Sequence, residues 1–227
     1  MKTHVVLITA KTNIHVGNEN GGEFTIIDKA IQRDVLTGLP CINSSSLKGA
    51  INEYCSNMLK MKAEQRSKLF GSDKLDKKSE AKKGEAIFFD AKLLFLPQQD
   101  EKALYRHVTT KDILQMMEDR VKLFIPSFKL DVNELNGKEV DVIDYDKMKS
   151  LCSNDNLPII ARNTLENGES KNLWYEQVLP AETVFYTIIQ EEGNDLKDAL
   201  NGKIVQIGAN ATIGYGYCEF KFFGEED

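Results

Sequence analysis

Residues 44–59, SSSLKGAINEYCSNML, carry the clearest helical pattern of the chain. Apolar side chains follow Leu47 at spacings of 3, 4, 7, 8, 11 and 12 residues, which are the spacings of one helical face. Three serines stand directly before Leu47, as is common at the start of a helix. This amphipathic helix is therefore the element around which the neighbouring segments can be arranged.

Two apolar segments flank this helix and predict strands. Residues 3–11 centre on VVLI at 5–8 and are rich in β-branched side chains, so they predict a first strand. Residues 86–96, AIFFDAKLLFL, lie between Gly84 and Pro97 and predict a buried strand. The helix is thus expected to connect two strands.

The last part of the chain repeats this order. Residues 183–189 predict a strand, residues 195–200 predict a short helix that Gly202 ends, and residues 203–223 predict a strand region interrupted by glycines. Both parts therefore have the order β-α-β. This is the order of a ferredoxin-like unit, which is an α+β fold.

The interval between the two parts, residues 97–182, is predicted to be an elaboration of the same fold. It begins with an amphipathic helix at 109–123, where Thr109 and Asp112 resemble a capping box. The sequence that follows is polar and weakly periodic. Because 227 residues with 41% hydrophobic content can bury one good core, we expect one domain with insertions.

Composition and charge bear on whether the chain is a zinc-binding, disulfide-bonded, membrane-spanning or nucleic-acid-binding protein. The four cysteines are far apart and form no C-x-x-C pair, which argues against a zinc knuckle and a disulfide framework and favours a reducing cytoplasm. No stretch approaches the roughly 20 apolar residues that span a bilayer. The formal charge of −6 at first sight disfavours nucleic-acid binding, but Lys29, Arg33 and Lys48 fall within one short segment and could line a basic groove.

The start of the predicted helix favours binding of an anion. Free backbone amides and the positive end of the helix dipole attract anions there, and the hydroxyls of Ser45 and Ser46 add donors. Lys48 stands in the first turn, where the dipole disfavours a cation, and Gly49 costs a helix about 1 kcal/mol relative to alanine. A phosphate on this turn would explain both features. The alternative is an ordinary serine cap with an exposed lysine.

Three glycines, Gly208, Gly214 and Gly216, lie in the stretch QIGANATIGYGYCEF at 206–220. The stretch is not a Walker loop, since no Lys-Ser or Lys-Thr pair follows, and not a dinucleotide-binding fingerprint, since a strand comes next. Glycine permits positive φ and close approach of a backbone or a ligand. A plain hairpin turn is the alternative.

Residues 15–40 form a long, polar, glycine-rich segment between the first strand and the helix. The segment contains His15, Asp28, Gln32 and Arg33 and leads directly to the predicted anion site. A single histidine or aspartate is more often structural than catalytic. Because these four residues precede the helix start, we interpret them as candidates for a binding site, with Asp28 as the candidate for catalysis.

Motifs along the chain also resemble one known family. They are, in order, HxG at 15–17, IDxxIQRD at 27–34, TGxP at 37–40, SSLKG at 45–49, FG at 70–71, DAK at 90–92, LWYEQVLPAETVFY at 173–186, and QIG with TIGYG at 206–216. In this ordered set the chain resembles the RAMP superfamily of type III CRISPR proteins. Within that superfamily it is similar to the repeated backbone subunit of the Cmr, or type III-B, effector complex.

The resemblance implies a palm of ferredoxin-like (RRM-like) fold, at about 1–96 and 183–227, within a single RAMP domain of residues 1–227. The insertion at about 97–182 would include a β-hairpin thumb that enters the duplex of guide and target RNA. Such subunits stack with other copies of themselves into a helical filament along a CRISPR guide RNA. They lie beside other subunits of the Cmr complex, in the cytoplasm and without membrane contact.

The resemblance also implies roles for single residues. Asp28 matches the aspartate needed for metal-dependent cleavage of target RNA, with a divalent ion, Mg²⁺ or Mn²⁺, bound together with that RNA. The residues that match positions at or near the RNA are His15, Gln32, Arg33, Ser45, Ser46, Lys48, Arg162, Asn163, Trp174, Gly208, Gly214 and Gly216. Of these, the serines, Lys48 and the glycines match surfaces that hold the guide backbone, and Arg162, Asn163 and Trp174 match the thumb.

Two other interpretations are open. In the first, the chain is a non-catalytic RNA-binding scaffold of the same family, or the type III-A counterpart, and Asp28 is structural. In the second, the chain is an unrelated small-molecule enzyme or regulatory domain on a ferredoxin-like fold. The region at 123–158 looks shorter than in the usual family member, which affects subunit contacts and thumb geometry more than the palm.

Overall fold

The computed structural model describes residues 1–17, 27–72, 82–137 and 139–223 of the chain, so part of the polar segment at 15–40 lies outside the described residues. The strands are β1 (Lys2–Ala10), β2 (Cys41–Ile42), β3 (Ile87–Phe88), β4 (Ala91–Gln98), β5 (Arg106–Thr109), β6 (Val140–Val142), β7 (Ile159–Glu166), β8 (Glu169–Gln177), β9 (Val184–Glu191), β10 (Ile204–Gln206) and β11 (Tyr217–Phe223). The helices are α1 (Ser44–Asn57), α2 (Ala63–Phe70), α3 (Lys111–Lys122), α4 (Val132–Asn136), α5 (Tyr145–Leu151) and α6 (Asp195–Leu200), with a 3₁₀ turn at Ala211–Ile213. In the part of the chain that the structure describes, no helix has both the length and the apolar content of a membrane span.

A large, mostly antiparallel sheet forms the centre of the fold. Its strands follow the order β10-β11-β1-β9-β4-β5-β6, with β2 beside β4 and β3 beside β9. In the pairing of β1 with β9, Val5 lies opposite Ile188 and Leu7 lies opposite Tyr186. Both strands are buried on both faces, which explains why their sequences are continuously apolar instead of alternating. The helices and this sheet together form an α+β architecture, as predicted.

Helix α1 contributes one face to the core. Its buried residues are Leu47, Ile51 and Cys55, at the spacing that the sequence predicted. They belong to one hydrophobic cluster that also contains residues of the 97–182 interval, such as Met117 and Met148. The apolar spacing from which the helix was predicted therefore marks the residues that α1 buries.

The prediction of one buried strand at 86–96 is wrong, because the structure divides this segment into β3 and β4. Both strands pair with β9, and Phe89 and Asp90 interrupt them. Ile87 is 41% exposed, so the segment is not buried throughout. The interruption lets Asp90 turn toward α1, where its Oδ1 accepts a hydrogen bond from the Ser44 amide at 2.8 Å.

The second amphipathic helix begins later than predicted. Thr110 caps α3, because its Oγ1 accepts a hydrogen bond from the Ile113 amide at 3.1 Å. Thr109 ends β5, and its hydroxyl donates to the Leu94 carbonyl at 2.8 Å. The predicted capping box of Thr109 and Asp112 is therefore wrong by one residue. Two adjacent threonines look alike in the sequence, and only the strand pairing separates their roles.

The interval at 97–182 contains more regular structure than its weak periodicity indicated. Helices α3 and α4 connect the parallel strands β5 and β6. Strands β7 and β8, here called the hairpin, form a separate two-stranded sheet in which Arg162 lies opposite Trp174. The hairpin turns at Asn167 and Gly168, whose φ values of 53° and 85° are those that a two-residue hairpin turn needs. Helix α2 was likewise not predicted.

Replacing Thr110 by alanine should lower the free energy of unfolding by about 1 kcal/mol, because the change removes the acceptor that caps α3. Denaturant unfolding followed by circular dichroism measures the difference. Thr212 is exposed, and Thr212→Ala should change stability by less than about 0.5 kcal/mol. Equal losses in the two variants would contradict the assignment of Thr110 as the cap.

Candidate functional site

Asp28 lies on a backbone segment that pairs with the base of the hairpin. The amides of Asp28 and Lys29 both donate to the Tyr175 carbonyl at 3.1 Å, and the Gln177 amide donates to the Lys29 carbonyl at 2.9 Å. The Tyr175 amide donates to Oδ2 of Asp28 at 2.7 Å. Asp28 is exposed, and its Oδ1 has no hydrogen-bond partner among the described residues. The side chain therefore presents one free carboxylate oxygen at a fixed place beside β8.

A buried carboxylate, Glu176, lies next to this segment, with 1% of its side chain exposed. Its Oε1 accepts hydrogen bonds from Trp174 Nε1 at 2.8 Å and from the Lys29 ammonium at 3.1 Å. Its Oε2 accepts from Arg162 Nε and Asn210 Nδ2, both at 2.7 Å. Glu176 thus joins the segment that carries Asp28, the hairpin, and the loop at 207–216, here called the glycine loop.

These hydrogen bonds keep Glu176 ionised. Burial by itself would raise the pKa of the carboxyl, but the hydrogen bonds from Trp174, Arg162, Lys29 and Asn210 outweigh burial and bring the pKa to about 2. A buried carboxylate without such partners would be strongly unfavourable. The four donors explain why a charged side chain is stable in this position.

The two cations of this cluster also lie over aromatic rings. The Lys29 ammonium is 5.1 Å from the centre of the Trp174 ring, and the Arg162 guanidinium is 4.9 Å from the centre of the Tyr215 ring. Nη2 of Arg162 is buried and has no hydrogen-bond partner in the described part of the chain. Because Nη2 is buried, a ligand cannot reach it in this arrangement, and Lys29, with 53% of its side chain exposed, is the accessible cation of the cluster.

Two of the predicted site residues, His15 and Gln32, face the protein interior. His15 is 2% exposed, and its Nδ1 lies 2.6 Å from the Gln177 carbonyl oxygen. Gln32 donates from Nε2 to the Ser46 hydroxyl at 3.0 Å and accepts the Asn43 amide at Oε1 at 2.7 Å. These side chains tie the hairpin base and the start of α1 to the loop between them.

Two of the three predicted glycines are required by backbone packing. A Cβ atom on Gly208 would lie 2.2 Å from the His15 carbonyl oxygen, and one on Gly216 would lie 2.0 Å from the Ile207 carbonyl oxygen. Both glycines have positive φ, at 85° and 77°. Gly214 also has positive φ but opens onto empty space. Of the three, Gly214 is therefore the one that a ligand could approach closely.

Arg33 is held within its loop. It donates from Nη1 to the Gly38 carbonyl at 3.0 Å and from Nη2 to Asn154 Oδ1 at 2.9 Å, and partial burial lowers the pKa of its guanidinium. The neighbouring Asp34 pairs with Lys92. Burial would raise the pKa of Asp34, but hydrogen bonds, above all from Lys92, bring it to about 2. Arg33 and Asp34 therefore stabilise the turn that leads to α1.

The start of α1 is partly open to an anion. Asn43 is the N-cap residue and residues 44–46 form the first turn, so the alternative of an ordinary serine cap is wrong. Asp90 accepts the first amide of this turn, whereas the next two amides have no partner among the described residues. Lys48 is half-buried and forms no ion pair with the described part of the chain. Two amides and one lysine thus remain for a phosphate.

The hairpin separates its candidate residues onto two faces. Arg162 and Trp174 lie opposite each other and share the face that contacts Glu176. Asn163 is on the other face, since side chains alternate along a strand, and its Oδ1 accepts the Ser170 hydroxyl at 2.8 Å. Asn163 therefore lies apart from the charged cluster, which consists of Glu176, Lys29 and Arg162.

A divalent ion at Asp28 would need ligands from outside this chain. Within the described ranges, no three His, Cys, Asp or Glu side chains are grouped closely enough to form a metal site. Magnesium is commonly held by one or two carboxylates together with substrate phosphates and water. The free Oδ1 of Asp28 fits that arrangement, in which RNA phosphates complete the coordination.

Sequence reasoning missed Glu176, Asn210 and Asp90 as parts of the site. Their contacts are long-range: Glu176 and Asn210 are 34 positions apart, and Asp90 is 46 positions from the amide that it accepts. The sequence contains one sign that Glu176 is buried. It is a charged residue between aromatic and apolar neighbours in LWYEQVL at 173–179. A charge in such surroundings indicates a buried partner.

Sequence similarity to known proteins extends over almost the whole chain. A family profile described as RAMP superfamily matches residues 7–219. The CRISPR system Cmr endoribonuclease Cmr4 of Pyrococcus furiosus is 27% identical over an alignment of 284 residues that covers 96% of this chain and 95% of the relative. That alignment is longer than the 227 residues of this chain, so it contains gaps where the relative has additional residues.

Solved structures show the same fold. Oligomeric Cmr4 from Pyrococcus furiosus matches with a TM-score of 0.73 and 20% identity, covering 100% of both chains. A chain of the type III-B Cmr-beta complex bound to cognate target RNA matches with a TM-score of 0.75 and 20% identity, covering 98% of this chain and 97% of that chain. These similarities confirm the predicted α+β, ferredoxin-like fold.

Glu176 should make stability depend on pH in the acid range. Its pKa is about 2 in the folded protein and 4.5 in the absence of the fold, so the unfolded chain takes up the proton first as the pH falls. Its contribution to the free energy of unfolding should be complete above about pH 4.5 and should decline toward pH 2. Denaturant unfolding at several pH values should show a shallower decline in Glu176→Gln.

Glu166→Gln is the control for this measurement, because Glu166 is on the exposed part of the same hairpin. It should leave the pH dependence close to that of the unaltered protein. A decline in Glu176→Gln as steep as in the control would show that Glu176 does not carry this share of the stability.

Proposed function

Because the chain belongs to the RAMP superfamily, we propose that it is a guide-RNA-binding backbone subunit of a type III-B CRISPR effector complex. In that complex it stacks with other copies of itself into a filament and cleaves complementary target RNA at regular intervals, as part of antiviral defence in the cytoplasm. The relative named as a Cmr endoribonuclease, matched over nearly its full length, supports this proposal. Family membership excludes the interpretation as an unrelated ferredoxin-like enzyme.

The observation that carries the proposed activity is the exposed carboxylate of Asp28. One of its oxygens is held at the hairpin base, and the other has no hydrogen-bond partner in the part of the chain that the structure describes. RNA contains its own nucleophile in the 2′-hydroxyl group, so the protein has to orient the chain and stabilise charge. A magnesium or manganese ion held by Asp28 and target phosphates would supply charge stabilisation. The ammonium of Lys29, whose side chain is 53% exposed, is the cation next to Asp28 that a phosphate can reach.

The guide backbone has a separate set of contacts. Two amides of the first turn of α1 have no partner among the described residues. These amides, the ammonium of Lys48 and the open space at Gly214 are all suited to phosphate and sugar. None of these groups reads a base. This agrees with recognition in which base pairing identifies the target and the protein holds the backbone.

A non-catalytic scaffold of the same family, of type III-B or type III-A, is the second candidate. One observation favours it: Asp28 stabilises the local structure, since its Oδ2 accepts a hydrogen bond from the Tyr175 amide. Oδ1 of Asp28 accepts no hydrogen bond from the described residues. The two candidates therefore differ in whether the charge of Asp28 is needed or only its ability to accept a hydrogen bond.

Asp28→Asn separates these candidates, because asparagine can still accept the Tyr175 amide but lacks the charge. In the assembled complex, the variant should bind guide and target RNA normally and cleave the target at least about 100-fold more slowly. Asp155→Asn, at an exposed aspartate in a different loop, should cleave at the normal rate. Full cleavage by assembled Asp28→Asn would identify Asp28 as a structural residue.

Lys48→Ala should weaken guide binding equally for all guide sequences, since a phosphate contact is independent of the base. The slope of log affinity against log salt concentration should fall by about one unit. Filter binding at several salt concentrations measures this slope. Lys203→Ala, at an exposed lysine, is the control and should leave the slope unchanged. A loss confined to some guide sequences would rule out a backbone contact.

A further inference from the structure

The Glu176 side chain is the point at which three separate chain segments meet. Lys29 reaches it from the segment that carries Asp28, Arg162 reaches it from across the hairpin, and Asn210 reaches it from the glycine loop. With 1% of its side chain exposed, Glu176 has almost no surface with which to contact RNA. Any influence on the reaction must therefore pass through the groups that it holds.

Glu176 is directly linked to the backbone that holds Asp28. Tyr175, its neighbour on β8, binds Asp28 with both its amide and its carbonyl. Lys29, the neighbour of Asp28, pairs with Glu176 both as a side-chain ion pair and as a backbone bridge. A shift of the Glu176 side chain would therefore displace both β8 and the segment that carries Asp28.

Hydrogen bonds to β8 also restrain Asp28, because its amide and that of Lys29 both donate to the Tyr175 carbonyl at 3.1 Å. Its own side chain has a single hydrogen bond among the described residues, and that bond is to the same strand. The further links between this loop and β8 are the Gln177 amide to the Lys29 carbonyl and the longer contact of the Ile31 amide with Gln177 Oε1, at 3.5 Å. The ion pair of Lys29 with Glu176 adds a charged link to these hydrogen bonds.

We propose that Glu176 is a positioning residue, whose buried carboxylate fixes the hairpin base, the Asp28 segment and the glycine loop in one arrangement and thereby sets the position of Asp28. This inference rests on the proposed role of Asp28 in target cleavage. Its structural part, that Glu176 holds Asp28 against Tyr175, can be measured without any cleavage assay.

Glu176→Gln is the first test, because glutamine has nearly the same shape but places an NH₂ group against two donors. In the isolated chain, exchange of the Tyr175 amide with deuterium should become about tenfold faster, as expected for loss of roughly one hydrogen bond. In the assembled complex, the single-turnover cleavage rate should fall by a similar factor at saturating target RNA. Affinity for target RNA should stay within about twofold of normal, since Glu176 does not reach the RNA.

A second substitution should reverse part of the effect. Glu176→Gln combined with Asn210→Asp exchanges the carboxylate and the amide between two partners 2.7 Å apart, so the contact between residues 176 and 210 again joins a donor to an acceptor. The glutamine amide at position 176 still faces the Nε donor of Arg162, so the double variant should recover part of the slow Tyr175 exchange and part of the cleavage rate. Glu192→Gln, which removes an exposed charge that follows β9 and lies outside the hairpin, should change neither quantity.

The outcomes separate the two proposals. Unchanged Tyr175 exchange in Glu176→Gln, or a double variant no better than the single one, would overturn the positioning role. If the unaltered complex does not cleave RNA, the proposed activity fails, while the exchange measurement still decides whether Glu176 holds Asp28. If Glu176→Gln does not fold, Asn210→Ala removes only one donor and should accelerate exchange by a smaller factor, and no acceleration there would count against the inference.

Discussion

A carboxylate that is almost fully removed from water is stable only when donors surround it, and Glu176 satisfies this condition by bringing three chain segments together. One cation, Lys29, belongs to the segment of Asp28, and the other, Arg162, belongs to the hairpin. The glycine loop joins them through Asn210. Without the carboxylate the two cations would repel each other. The arrangement around Asp28 therefore combines this charge pairing with the backbone hydrogen bonds of Asp28 and Lys29 to β8.

The parts of the fold that could be predicted from the sequence are those whose signal is local. The face of α1 follows from the spacing of its apolar residues, and β1 and β9 follow from runs of β-branched and aromatic side chains. The interruption between β3 and β4 could not be predicted, because it depends on the contact of Asp90 with the start of α1. Thr110 was confused with Thr109 for the same reason, since strand pairing decides which threonine is free to cap.

The site shows the same division between local and long-range information. The sequence motifs predict Asp28 as the candidate for catalysis, and the structure places its carboxylate at an exposed position beside β8. Motifs do not show which way a side chain points, and His15 and Gln32 turn inward to hold loops together. Glu176 was overlooked although it stands within a recognised motif. Its partners are distant in sequence, and a strand pattern alone does not show where a buried charge finds its donors.

Under the proposed function, charge balance at the site would favour joint binding of a metal ion and RNA. Lys29 and Arg162 are matched by Glu176 and Asp28, so this cluster has no net charge of its own. The free oxygen of Asp28 would repel an approaching phosphate, and a single carboxylate would hold a divalent ion only weakly. A divalent ion held by Asp28 would offset this repulsion and would need further ligands from the phosphate. We therefore expect each to bind better in the presence of the other, and a position of Asp28 fixed by Glu176 to matter most when both are bound.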